Sequence, residues 1–146
     1  MRYLGLDVGN KRVGVAVGNS ELYIATPLGV IERSTLDHDA AQLLDFAREY
    51  DAETVIVGLP RNANNTAGEQ EALTRAYVQQ LQSSTGLHFR FQDERYSTSA
   101  ALEQQRARGI SEKRGRAQID ASAAAIILQD FLDTLRRIQE DSDVSD

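Results

Sequence analysis

A chain of 146 residues that is 41% hydrophobic and 26% charged has the profile of one globular domain with a single core. With no cysteine it can hold neither a disulfide framework nor a thiolate metal site, and no apolar run reaches the length of a membrane span. A net charge of −6 argues against a protein that simply coats nucleic acid, yet four of the acids lie in the last eight residues and residues 106–116 hold five bases against Glu112 alone.

The segment Met1–Asn10 carries no long apolar stretch with a cleavage site, so the chain reads as cytoplasmic and free of any membrane partner. From Tyr3 to Val8, apolar residues alternate with Gly5 and Asp7. A second run, Val13-Gly14-Val15-Ala16-Val17, follows Gly9-Asn10-Lys11-Arg12, which predicts a hairpin. Residues 26–31 read as a third strand after a turn near Gly18-Asn19-Ser20. Thr35 is placed to cap a helix whose apolar positions (Leu36, Ala40, Leu43, Leu44, Ala47) repeat at helical spacing up to Tyr50. Residues 54–59 form a compact apolar run ended by Pro60, as suits a strand buried on both faces. A polar loop covers 61–68, a second helix about 69–83 with its stop near Gly86, and a fifth strand 88–92. Ser97 and Thr98 can cap a helix to about Arg108. A basic loop then leads into a last helix over about 119–138.

Three strands in succession followed by strand–helix–strand units predict an α/β fold. Its mixed five-stranded sheet has three antiparallel strands, then parallel ones, flanked by helices. Residues 1–138 form the expected single domain, and 139–146 an acidic tail expected to be disordered.

Sites on such sheets form at the carboxyl ends of the parallel strands. Asp7 ends the first strand, Glu94 follows the fifth, and Asp120 opens the expected last helix on the same face as Ala124 and Ile127. That helix is rich enough in alanine to pack close to the sheet and bring Asp120 among the strand ends. Three converging carboxylates repel unless a cation sits between them, and oxygen-only donors suit Mg²⁺ or Mn²⁺. Such ions can activate water in phosphodiester cleavage. Each acid also has a plainer reading: Asp7 as a turn residue, Glu94 as a solvated strand end, Asp120 as a complement to a helix N-terminus. Asp93 is an alternative ligand, but it shares strand parity with Phe89 and Phe91 and is expected to point toward the core. His38 and His88 lie away from the acids in sequence and are expected to be surface or structural.

Four segments, 6–16, 57–60, 93–98 and 119–124, resemble the motifs of the YqgF/RuvX family in order and spacing, and the resemblance covers about residues 2 to 135. Its members are RNase H-like nucleases described as Holliday-junction resolvases and as nucleases that process the precursor of 16S ribosomal RNA. The resemblance implies an RNase H-like fold and a metal-dependent nuclease in which Asp7, Glu94 and Asp120 carry Mg²⁺ or Mn²⁺. It places Lys11, Arg12, Arg95, Ser97 and Thr98 beside the scissile strand, and matches Lys113, Arg114 and Arg116 to the family's basic segment. Such cations suit phosphate contacts, which set position and affinity more than sequence preference. The family usually has Asp-Gly after Gly-Leu-Pro, where this chain has Asn64-Asn65.

Two other classes stay open at this point. One is an RNA- or ribosome-binding assembly factor with a weak catalytic site. The other is an actin- or sugar-kinase-type ATPase, because residues 6–9 also resemble that superfamily's first phosphate loop; those enzymes close a cleft between two such domains, and this length supplies one. A four-way DNA junction as substrate would invite a homodimer, whereas trimming an RNA end needs a single site.

Overall fold

The structure, a computed structural model, describes residues 1–59, 68–93 and 113–144, with the side chains of the last segment described from 118 to 141. Strands β1 (Arg2–Val8) and β2 (Arg12–Asn19) form the expected hairpin, with Asp7 opposite Gly14 and Val8 opposite Val13. Strand β3 (Ala25–Glu32) pairs antiparallel with β2. Strands β4 (Thr54–Leu59) and β5 (His88–Asp93) add in parallel on the other side of β1. The order across the sheet is β3-β2-β1-β4-β5. All six residues of β4 are buried, as its unbroken apolar run requires of a strand covered on both faces. Pro27 lies in β3, an outer strand, the place in a sheet where proline is tolerated.

Helices α1 (Leu36–Glu49) and α2 (Glu69–Thr85) share one face of the sheet. The Thr35 hydroxyl accepts from the His38 amide at 3.1 Å and caps α1, an interaction worth about 1 kcal/mol. Gly86, in the left-handed region at φ 73°, ends α2. Leu4, Leu6, Val13, Val15, Val55 and Val57 point into this layer and pack with Leu43 and Leu81.

The last helix, α3 (Lys113–Val144), covers the other face. It is longer at both ends than expected. Residues 113–118 are helical rather than loop, and the acidic segment expected to be disordered continues the helix through Val144. Near that end Arg136 Nε donates to Glu140 Oε1 at 3.0 Å, four residues on. The loop assignment failed because Gly115 interrupts a segment of otherwise good helix formers without stopping it.

Contacts along α3 fix its direction. Phe131 meets Tyr3 edge-on with ring centroids 5.1 Å apart, and Leu128 and Ala124 lie over Gly5. Asp120 lies over Gly14. The helix therefore runs antiparallel to β1, with Asp120 at the strand's carboxyl end. Gln129 ties it to the β2–β3 turn, donating to the Tyr23 carbonyl at 2.8 Å and accepting from the Ala25 amide at 2.9 Å.

Two glycines make this approach possible. A Cβ on Gly5 would stand 2.8 Å from Leu128 Cβ and 2.9 Å from the Ala124 carbonyl oxygen. One on Gly14 would coincide with the backbone carbonyl oxygen of Asp120. Gly14→Ala should therefore push α3 off the sheet and destabilise the protein by about 1–3 kcal/mol, read as a lowered urea midpoint. Stability equal to wild type would contradict the close seating.

Candidate functional site

Asp7 is placed by strand alternation. Tyr3 and Gly5 face α3, so Asp7, two residues further along β1, faces the same side. Its cross-strand partner is Gly14, and residues paired in this way lie about 5 Å apart. Because the Asp120 backbone rests on Gly14, Asp7 and Asp120 become neighbours on one face at the carboxyl end of β1. Both are partly buried.

Asp120 lies two turns inside α3 instead of opening it. The macrodipole acts within the first turn of a helix, so the plainer reading of this acid as a complement to the N-terminus does not apply. Its Oδ2 accepts from Arg12 Nε at 2.8 Å, with both side chains largely shielded from solvent. Arg12 begins β2, directly after the turn, while Lys11 stands exposed on the turn itself. The hairpin thus brings two cations to the edge where the two acids meet. One of them is already bonded to a carboxylate.

Glu94, Arg95, Ser97 and Thr98 lie outside the described residues, as do Asn64 and Asn65. Lys113, Arg114 and Arg116 fall in the first turns of α3, and their side chains lie outside those described. Asp93 departs from expectation. It keeps the parity of Phe89 and Phe91 but is exposed, because β5 is an outer strand and Phe91, two residues earlier, is itself 39% exposed beneath the Arg75 guanidinium. Gln92, on the opposite parity, shares the α3 side with Arg90, whose guanidinium lies 5.3 Å from the Phe131 ring centre. His38 bonds to Asp39 on α1, and His88 opens β5 at the end of the sheet where β1 begins.

Among the described residues no group of three or more His, Cys, Asp or Glu side chains could hold a metal ion. The described part of the expected ligand set is Asp7 and Asp120. Both offer carboxylate oxygen, the donor that hard divalent cations take, so these residues fit Mg²⁺ or Mn²⁺ by chemistry.

A second polar cluster was not foreseen from sequence. Asp39, on α1, is 2% exposed; its Oδ2 accepts from the Tyr77 hydroxyl at 2.8 Å and its Oδ1 from the Ser34 amide at 3.0 Å. His38 Nδ1 lies 3.0 Å from the same Oδ1. The Arg33 guanidinium stacks on the Tyr77 ring, 3.9 Å from its centre. Burial acts to raise the Asp39 carboxyl, but the bonds from His38, Ser34 and Tyr77 together outweigh it and hold the group below its ordinary 3.8. Burial, then the bond to Asp39, pushes the Tyr77 phenol well above its usual range. In sequence these residues are ordinary helix and loop positions, and only the packing of α1 against α2 joins them.

With this geometry in view, comparison with known proteins is specific. The fold is similar to RuvC of T. thermophilus in complex with a Holliday junction substrate: TM-score 0.55, covering 90% of this chain and 93% of that one at 19% identity. The architecture is RNase H-like, an α/β fold with a mixed five-stranded sheet. The model of the RuvX family, described as Holliday junction resolvase, matches residues 1–134, and the chain belongs to that family. A relative from Symbiobacterium thermophilum named "Putative pre-16S rRNA nuclease" is 44% identical over 133 residues, 91% of this chain and 92% of its own length. One of the same name from Moorella thermoacetica is 42% identical over 92% of this chain and 96% of its own length. The family and these relatives indicate a nuclease. No helix among the described residues is long and apolar enough to cross a membrane.

The Asp39 cluster makes a prediction about acid stability. A carboxyl held below its unfolded value stabilises the fold fully above that value, and the contribution is lost as pH falls through the folded value, below 3.8. Asp39→Asn should therefore lose less stability than wild type between about pH 6 and about pH 3, measured by urea denaturation at each pH. Equal losses in the two proteins would contradict the assignment.

Proposed function

We propose that this chain is a divalent-metal-dependent phosphodiester hydrolase acting on nucleic acid, with precursor 16S ribosomal RNA as its substrate. The observation that carries the reading is the seating of Asp120 beside Asp7 at the carboxyl edge of the sheet, next to Lys11 and Arg12. The names of the relatives at about 40% identity support the choice of RNA, whereas the RuvC likeness supports the fold alone.

In this reading Asp7, Asp120 and Glu94 hold Mg²⁺ or Mn²⁺. The bound cation would supply activation of water and stabilisation of the leaving oxygen. Arg12 orients the Asp120 carboxylate through its 2.8 Å bond and offsets its charge. Lys11, exposed on the adjoining turn, meets the phosphate backbone as a point charge. Arg95, Ser97, Thr98, Lys113, Arg114 and Arg116 are the further residues proposed to contact nucleic acid. No His, Ser or Cys nucleophile is required. The protein acts in the cytoplasm, where its RNA substrate is made.

A second substrate, branched DNA, is favoured by the family model's own description. A single preparation assayed on precursor rRNA, single-stranded DNA and a four-way junction, with and without Mn²⁺, separates the two. Metal-dependent cleavage of the RNA is expected, and symmetric cutting of the junction by a dimer would favour DNA. Binding of the RNA without cleavage at any Mn²⁺ level would point to an assembly factor instead.

Asp7→Asn and Asp120→Asn should each lower cleavage by about a hundredfold or more with the fold retained, because each removes a charge on which the proposed chemistry depends. Full metal-dependent activity in either variant would overturn the assignment. Lys11→Ala should weaken binding to any sequence alike and reduce the slope of log affinity against log salt by about 0.7–0.9. An unchanged slope would remove Lys11 from the interface.

A further inference from the structure

The turn between β1 and β2 carries Lys11 and leads into Arg12, so its rigidity decides how well Lys11 is presented. Inside the turn the Gly9 amide donates to the Arg12 carbonyl at 2.9 Å. The turn's outward carbonyls are taken up by one residue just beyond β3. The Arg33 amide donates to the Lys11 carbonyl at 2.9 Å, and Arg33 Nη1 donates to the Gly9 carbonyl at 2.6 Å.

Arg33 is itself held from behind. Its guanidinium lies over the Tyr77 ring, and the Tyr77 hydroxyl donates to the buried Asp39 carboxylate at 2.8 Å. The other oxygen of Asp39 accepts from the amide of Ser34, the residue next to Arg33. A chain of contacts therefore runs from the α1–α2 layer, through Arg33, to the turn at the sheet's edge. A flat guanidinium can stack on a ring and donate in its own plane at once, which a lysine ammonium cannot.

We infer that Arg33 is a positioning residue for nucleic-acid binding, clamping the Gly9–Arg12 turn against the Tyr77–Asp39 pair so that Lys11 is held ready for substrate phosphates. The inference rests on the role proposed above for Lys11. Arg33 touches no substrate in this account and acts through the turn, which is why its loss is felt only while Lys11 is present.

The test combines hydrogen exchange with binding of a short fluorescein-labelled single-stranded RNA, on the whole protein. Arg33→Ala should speed exchange at the Gly9 amide by about tenfold, the size expected for losing one charge-assisted hydrogen bond, while amides of Leu4 and Val15 in the sheet interior stay as in wild type. RNA affinity should fall several-fold, and Arg33→Lys, which keeps a donor without the stack, should recover part of both effects. The Lys11→Ala, Arg33→Ala double variant should bind no more weakly than Lys11→Ala alone. Unchanged exchange at Gly9, or losses that multiply in the double variant, would overturn the inference. If wild type binds no RNA the proposed function fails and the link to binding fails with it, while Gly9 exchange still decides whether the clamp exists.

Discussion

The backbone of α3 lies directly on the sheet because Gly5 and Gly14 present no Cβ to hold it off. This missing volume sets the height of the helix, and the Tyr3–Phe131 and Gln129 contacts set its direction and rotation. Asp120 is then left with one place to be. It stands beside the strand pair that ends in Asp7, within reach of Arg12. The two acidic residues are brought onto one face by packing, and the apolar contacts of Ala124, Leu128 and Leu132 further along the same helix hold it there. Like charges near each other are costly, and the Arg12 bond is part of what makes the arrangement tolerable.

The two faces of the sheet divide the work. The α3 side is thin, closely packed and polar at its upper end, where the candidate site lies. The α1–α2 side holds the larger apolar cluster together with the buried Asp39–Tyr77 pair. Arg33 links the sides, since its stack belongs to the second layer and its hydrogen bonds to the turn that borders the site. The candidate site and the larger apolar cluster thus lie on different faces of one sheet, joined at a single hairpin.

Much of the fold was legible because local rules and tertiary packing agree. The run 54–59 is a strand end to end, Thr35 caps α1 as its residue type suggests, and Gly86 stops α2. The alternation that sets Asp7 and Tyr3 on one face can be read directly from residues 3–8. What was not legible depends on partners distant in sequence. The roles of Gly5 and Gly14 appear only when a helix more than a hundred residues away lies on them. Arg33, Asp39 and Tyr77 carry no motif, and their association is a product of layer packing. Asp93 was expected inside on parity alone, but parity gives the side of a sheet and says nothing of whether that side is covered at an outer strand. The extent of α3 was underestimated at both ends because glycine and a run of acids count as breaking signals in isolation, whereas a helix already packed along its length can extend past both.

On the proposed reading Asp7 and Asp120 form one cation site on the α3 face of the sheet. The most direct test is a crystal of the wild-type protein soaked in Mn²⁺ and measured at a wavelength where manganese scatters anomalously. The account predicts an anomalous peak shared by the two carboxylates, about 2.1 Å from an oxygen of each. A map with no peak there, or with manganese bound to only one of the two acids, would contradict it.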